Sequence, residues 1–292
     1  MRAVGRPPMK KSYDVDVNKV VVKTQRFLKR HDVPKHWSKT KNERYNVHFM
    51  ITSCVLFCMA DKSYRRFRRL LQSCPPTALK IETVPCFTTL WRAWRRIPPR
   101  LFRRLTQLSG KGGRDKVGAL DPTHFQISRP SVAYCKRIKR RLEREPNRKT
   151  TIVTGTRSLR IFDAIIYKYQ HRSGLDDVPR LMNEWVRGKT VAADTEFDAE
   201  ERFHQLVEQA GGRGVAPLRH KNIPIHRTKG SRRKVLRRKW PGRSYRRRTL
   251  TETANSMLKR GMGEILRGLT VWQQARHFYA KCFTHNMLVR CC

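Results

Sequence analysis

A chain of 292 residues can bury one large core or two modest ones. Its 66 Lys and Arg against 22 Asp and Glu leave a net charge of +44, which repels itself and calls for a polyanionic partner. A hydrophobic share of 38% excludes a disordered basic tail. The charge is spread through foldable segments with no membrane anchor beside it, which favours nucleic acid over an acidic membrane.

The first residues, MRAVGRPPMKKSYD, carry no apolar run behind their basic residues, so no signal peptide is expected. Val17 to Leu28, Tyr64 to Leu71 and Phe87 to Ile97 space apolar residues as a helix does, with Lys and Arg between them. Val47 to Ala60, the longest apolar stretch, is too short to span a bilayer and is expected as a buried helix. Residues 1–108 are therefore expected to form a helical, basic DNA-binding region. Ser109 to Lys116, with three glycines, is expected as a flexible linker and lacks the spacing of a phosphate-binding loop. The eight cysteines, at 54, 58, 74, 86, 135, 282, 291 and 292, form no CxxC pair. Reduced thiols in an intracellular protein, not a zinc site, are the expectation.

Beyond the linker the pattern turns to alternating strands and helices. Val117–Leu120, Thr150–Val153, Ile161–Tyr169, Val191–Ala193 and Gly214–Leu218 are expected as short strands. Gly174–Trp185, capped by Asp176 or Asp177, and Glu200–Gln209 are expected as helices, and the chain is helical again from about Arg246. Three strands, helix, strand, helix, strand and helix is the element order of the ribonuclease H fold. The fold class is thus α/β, a mixed sheet flanked by helices over 117–292, preceded by a helical N-terminal domain. A basic insertion is expected at 219–244.

Asp121 and Asp194 each follow a short apolar strand, where an acid points into the crevice in which α/β sheets hold ligands. A third acid stands out because only Glu252 and Glu264 are acidic after Gln209. Tyr245, Arg248, Glu252 and Lys259 fall at Y-x2-R-x3-E-x6-K, which on one helix projects all four from a single face. Glu264 would lie on another face. His124, three residues after Asp121, either lies near the acids or is structural and is not counted as catalytic; Asp163, Asp198 and Glu201 are set aside, Asp163 inside a strand and the other two on a solvent-facing turn or helix.

The Tyr–Arg–Glu–Lys signature resembles that of the DDE transposases of prokaryotic insertion sequences. The likeness spans roughly Val117 to Val289, and includes Thr123 and His124 after the first Asp. In the second motif, D-T-E-F-D, Glu196 stands where the family commonly has a small residue, and Phe197 where it has Tyr; Asp198 is retained. The resemblance implies that Asp121, Asp194 and Glu252 hold two Mg²⁺ or Mn²⁺ ions for phosphoryl transfer on double-stranded DNA. It implies nicking at element ends, joining of the freed 3′-hydroxyl to target DNA, and a homodimer on paired ends. The protein would be cytoplasmic and nucleoid-associated, without membrane contact. Arg248, Lys259 and Tyr245 would meet DNA near the cut. The basic stretch with Arg232, Arg233, Lys234, Arg237, Arg238 and Lys239 would form a DNA-binding loop. Trp240 would either stack on a base or pack beneath that loop. Two other readings share the charge: a non-catalytic DNA-binding protein and a ribonuclease H-like nuclease.

Overall fold

The computed structural model describes residues 15–36, 45–112, 114–128, 136–137, 147–167, 173–220 and 222–292. Residues 1–14, Cys135, Lys221 and the last part of the expected 161–169 strand lie outside them. The N-terminal helices are α1 (Val17–Arg30), α2 (Val47–Ala60), α3 (Tyr64–Ser73), α4 (Phe87–Arg96) and α5 (Pro99–Gly110). Short polar side chains start the first three: Asp16 accepts from Asn18 N, Asn46 from Phe49 N and Ser63 from Arg66 N. α5 instead begins with Pro99, whose missing N–H costs nothing in a first turn.

The strands are β1 (Val117–Ile127), β2 (Asn147–Gly155), β3 (Ile161–Ile166), β4 (Thr190–Ala192), β5 (Arg213–Val215) and β6 (Ile265–Leu266). They form one mixed sheet in the order β3-β2-β1-β4-β5, with β6 pairing the far end of β1. β1, β2 and β3 are antiparallel neighbours, whereas β4 runs parallel to β1 and β5 parallel to β4. Between them lie α6 (Val178–Leu181) and a π-helical segment, Glu200–Gln205, that continues as α7 (Leu206–Gln209). The closing part holds α8 (Ser231–Arg238), α9 (Gly242–Arg246), α10 (Thr249–Met262) and α11 (Val271–Val289). The architecture is therefore mixed α/β, a sheet with helices on both faces. No helix among the described residues is long and apolar enough to cross a membrane.

Several expected elements change shape. β1 does not stop before Asp121 but runs on through Pro122, at a point where β4 has ended and β1 has a free edge that tolerates a proline. The expected helix over 174–185 breaks into two 3₁₀ turns around α6; Ser173, not Asp176 or Asp177, caps its start. The basic stretch 219–244 is not an open loop, since α8 and the start of α9 lie within it.

The expected linker is also absent as such. Ser109 and Gly110 are buried in the last turn of α5, and Asp115 accepts from Arg157 N at 2.6 Å and Ser158 N at 2.9 Å. A Cβ on Gly110 would meet Ile161 O at 2.6 Å, so helix and strand approach too closely for any other residue. One hydrophobic core runs across the expected boundary, joining α1 to α5 with Phe125, Ile152, Leu258 and α11. A second core, with Leu120, Val153, Phe162, Trp185 and Phe203, fills the opposite sheet face.

α11 ties these parts together through buried polar side chains. Asn286 accepts from Ile161 N (2.7 Å) and donates to Ile161 O (2.8 Å), Thr106 O (3.2 Å) and Ser109 Oγ (2.9 Å). Lys281 donates to Gly263 O and Ile265 O at 2.6 and 3.0 Å, holding the turn after α10. Asp163, inside β3, takes a paired contact from Arg103 of α5 at 2.9 and 2.8 Å, with Gln107 and Asn183 at 2.9 and 3.2 Å. It is a structural anchor, as its place inside a strand suggests.

Asp177 is fully buried beside Thr151, and burial pushes its carboxyl up to about 7 despite Arg180, Arg103 and Lys149 nearby. A folded-state pKa above the unfolded one makes stability highest below about pH 4 and lowers it as pH rises to about 7. Asp177→Asn is expected to remove that decline and to be the more stable protein at pH 8, by on the order of 3 kcal/mol. Urea unfolding at pH 5 and pH 8 measures this; a difference between variant and parent that does not grow with pH contradicts it.

Candidate active site

Alternation along β1 decides where Asp121 points. Leu120 enters the second core, so Asp121 projects to the other face, towards α10. The parallel register pairs Ala119 with Ala192; Asp121 lies two residues further along β1, and Asp194 two residues past the end of β4. Asp194 stands just past β4, where its side chain accepts from Glu196 N at 2.8 Å. Glu252 comes from the first turn of α10, with its side chain 59% exposed. The three acids thus come from β1, the turn after β4 and the first turn of α10.

Arg248 lies between two of these acids. Its guanidinium donates to Asp121 Oδ1 at 3.2 Å and to Glu252 Oε1 at 3.4 Å. Asn255, one turn beyond Glu252, donates to Asp121 Oδ2 at 2.8 Å. The Asp121 carboxyl is held above its ordinary range, first by burial and then by the charges of Glu252 and Asp194; Arg248 and Asn255 pull the other way. Asp121 therefore feels the charge of both other acids. Like charges gathered in this way gain from a cation among them, and an all-carboxylate oxygen set suits Mg²⁺ or Mn²⁺. In the present arrangement Arg248 supplies that positive charge, and among the described residues no three His, Cys, Asp or Glu side chains close into a metal-ligand group.

The four signature residues do not share one continuous helix. Tyr245 belongs to α9, and the chain tightens through Arg247 and Arg248 before α10 begins. Tyr245 packs on Trp240 with ring centroids 5.1 Å apart. Lys259 reaches β1, its Nζ 5.4 Å from the Phe125 ring centroid. His124 is exposed on β1, opposite Lys149 of β2, and burial together with Lys149 and Lys259 lowers its pKa. Two cations and a histidine thus line the strand beyond Asp121.

The predicted basic loop divides into two sets. Arg233 makes a paired contact to Asp198 at 2.7 and 2.8 Å, and Arg232 reaches Glu200 and Glu208. Arg237 donates to Ile223 O and to Thr228 Oγ1. These three hold α8 to the protein. Arg238, Lys239 and Trp240 are exposed and Lys234 is half-buried. Asp198 is buried, not solvent-facing, and also accepts from Arg219 N at 2.9 Å, while Glu201 is exposed as expected. Glu196, in place of a small residue, accepts from Gly174 N at 2.9 Å and meets Lys149 at 3.5 Å, so it fastens the segment that follows β3.

Sequence reasoning missed Asn255, Lys149 and Glu200. A helical step of three from Glu252 marks Asn255. Lys149 needs the register of β2, and Glu200, which caps α8 by accepting from Arg232 N (3.0 Å) and Arg233 N (3.2 Å), needs the fold. No family model matches the chain, and no curated protein matches it either.

Proposed function

We propose that this chain is a DDE-type transposase, with Asp121, Asp194 and Glu252 as the acids of a ribonuclease H-like catalytic domain. The observation that carries this reading is the place of Asp121 on β1, contacted by Arg248 and Asn255 beside α10 and feeling the charge of both Glu252 and Asp194. The sheet order β3-β2-β1-β4-β5, antiparallel on one side of β1 and parallel on the other, supports the ribonuclease H-like assignment. The net charge of +44 supports a DNA substrate.

In this reading the three carboxylates hold two Mg²⁺ or Mn²⁺ ions, which supply charge neutralisation at the phosphate and activation of the attacking oxygen. The chain's own cations do the positioning. Lys259 and Lys149, near His124 on the strand beyond Asp121, would take up phosphates of double-stranded DNA, and Arg238, Lys239 and Trp240 would extend that contact. Arg248 would leave Glu252 for the DNA backbone once metal arrives. The protein would act as a homodimer on paired element ends, associated with the nucleoid.

The deciding experiment uses labelled DNA carrying the sequences that flank the encoding gene, with Mn²⁺ or EDTA, comparing the parent with Glu252→Gln. Metal-dependent nicking and joining that the variant loses is the expected result. Nicking without joining would instead indicate a nuclease. A second reading, a non-catalytic DNA-binding protein, is favoured by one observation: Arg248 already neutralises Asp121 and Glu252. Tight binding without metal-dependent chemistry would establish it.

Arg248 also gives a prediction that does not depend on turnover. Without DNA, Arg248→Gln is expected to bind Mn²⁺ roughly three- to tenfold more tightly than the parent, up to about 1.4 kcal/mol, because the competing cation is gone. Titration followed by Mn²⁺ electron paramagnetic resonance measures it, and weaker binding would contradict the competition.

A further inference from the structure

A groove of about 600 Å³ lies in the N-terminal helical half, between α1, the start of α2 and the segment after Leu79. That volume is within the roughly 300–1,000 Å³ range of pockets that enclose small ligands. Among the described residues four cations surround it, Arg26, Lys29, Lys35 and Lys80, against one acid, Glu82. All four are exposed. Within the groove Tyr45, just before α2, and Phe49 in its first turn stack with ring centroids 5.3 Å apart and planes at 25°.

The walls are braced from element to element. His48 Nε2 meets Val33 O at 2.6 Å, and Tyr45 Oη donates to Thr83 O at 3.2 Å. Asn18 Oδ1 accepts from Thr77 Oγ1 at 3.1 Å and from Ala78 N at 3.0 Å, fixing the turn that precedes Lys80 to α1. Lys80 itself has φ +48°, a left-handed conformation that costs a non-glycine residue about 1 kcal/mol or more. A strained lysine at the rim of a braced, cationic groove floored by aromatic rings is arranged for an anionic ligand with a flat face.

We propose that this groove binds an unpaired nucleotide of single-stranded nucleic acid. The base lies against Tyr45 and Phe49, and the flanking phosphates meet Lys29, Lys80 and their neighbours. A concave site of this size with an aromatic floor suits a base turned out of a stack, whereas a duplex backbone asks for a broad basic face. None of these residues lies on the strands or the helix that carry the three acids. The site therefore stands or falls independently of metal-dependent cleavage.

Fluorescence anisotropy of the full chain, without divalent metal, tests it with labelled oligothymidylate and oligouridylate of about 12 nucleotides and a duplex of similar length. Tyr45→Leu is expected to weaken single-strand binding by about 5- to 100-fold, leaving duplex binding within about twofold. Lys29→Gln with Lys80→Gln is expected to lower the single-strand salt slope by about 1.4. Preference for one polymer over the other identifies DNA or RNA as the source of the nucleotide. Equal losses on single strand and duplex, or no loss from Tyr45→Leu, would overturn the proposal. Photocross-linking of the unaltered chain to 5-iodouracil oligonucleotide checks it without any variant: adducts are expected at Tyr45 or Phe49, and adducts confined to Trp240 or Trp272 would also overturn it.

Discussion

On the proposed transposase reading, asparagine at 121 or 194, or glutamine at 252, is expected to lower strand cleavage by roughly a thousandfold or more, about 4 kcal/mol at the barrier. DNA binding should stay within about twofold, because three acids in so basic a chain add nothing to phosphate affinity. Asp121→Asn carries a second expectation. The Asp121 carboxyl is held above its ordinary range, so its charge is a burden to the fold and its neutral isostere should melt no lower than the parent. Gel assays of cleavage and binding, with thermal melting of the same preparations, separate these effects. Loss of binding in parallel with cleavage would make the acids structural, and cleavage at the parent's rate would remove them from the chemistry.

The largest effect on stability is expected at Asp163. Its carboxylate is fully buried and satisfies Arg103, Gln107, Asn183 and its neighbour's backbone Ala164 N. Asp163→Ala strands the Arg103 guanidinium, whose side chain is only 27% exposed, without its paired contact. Breaking a buried pair from one side costs about 3–5 kcal/mol. For a chain of this length that corresponds to a melting point lower by roughly 5–8 °C. Denaturant unfolding of Asp163→Ala against Asp163→Asn measures it, and a loss below about 1 kcal/mol would mean that α5 and β3 hold together without this contact.

The sequence singles out the candidate acids but says little of their surroundings. Asp121, Asp194 and Glu252 stand out because short apolar runs precede two of them and acids are scarce around the third. Local pattern also reveals the strands, since alternation needs only neighbours. What it cannot reveal is who meets whom across distance. Arg232 and Arg233 look like free cations in a basic run, yet Asp198, Glu200 and Glu208 claim them from some 25 to 35 positions away. The glycines of 109–116 look like slack, yet Gly110 is there because α5 touches β3. The break between α9 and α10 is equally hidden, because Tyr245 to Lys259 keeps helical spacing across the tightened turn at Arg247 and Arg248.

The position of α11 has a consequence for the chain's birth. The apolar surface of α2, with Ile51, Cys54, Val55 and Cys58 buried, is closed in part by residues of α11 more than two hundred positions later. On the ribosome, that surface stays uncovered until residues 271–289 have emerged. Contacts of such sequence separation form slowly, and an exposed apolar helix waiting for them is open to aggregation or chaperone capture. A protein wired in this way becomes competent only after its far helix arrives, so nascent chains released early carry the basic face without a finished fold.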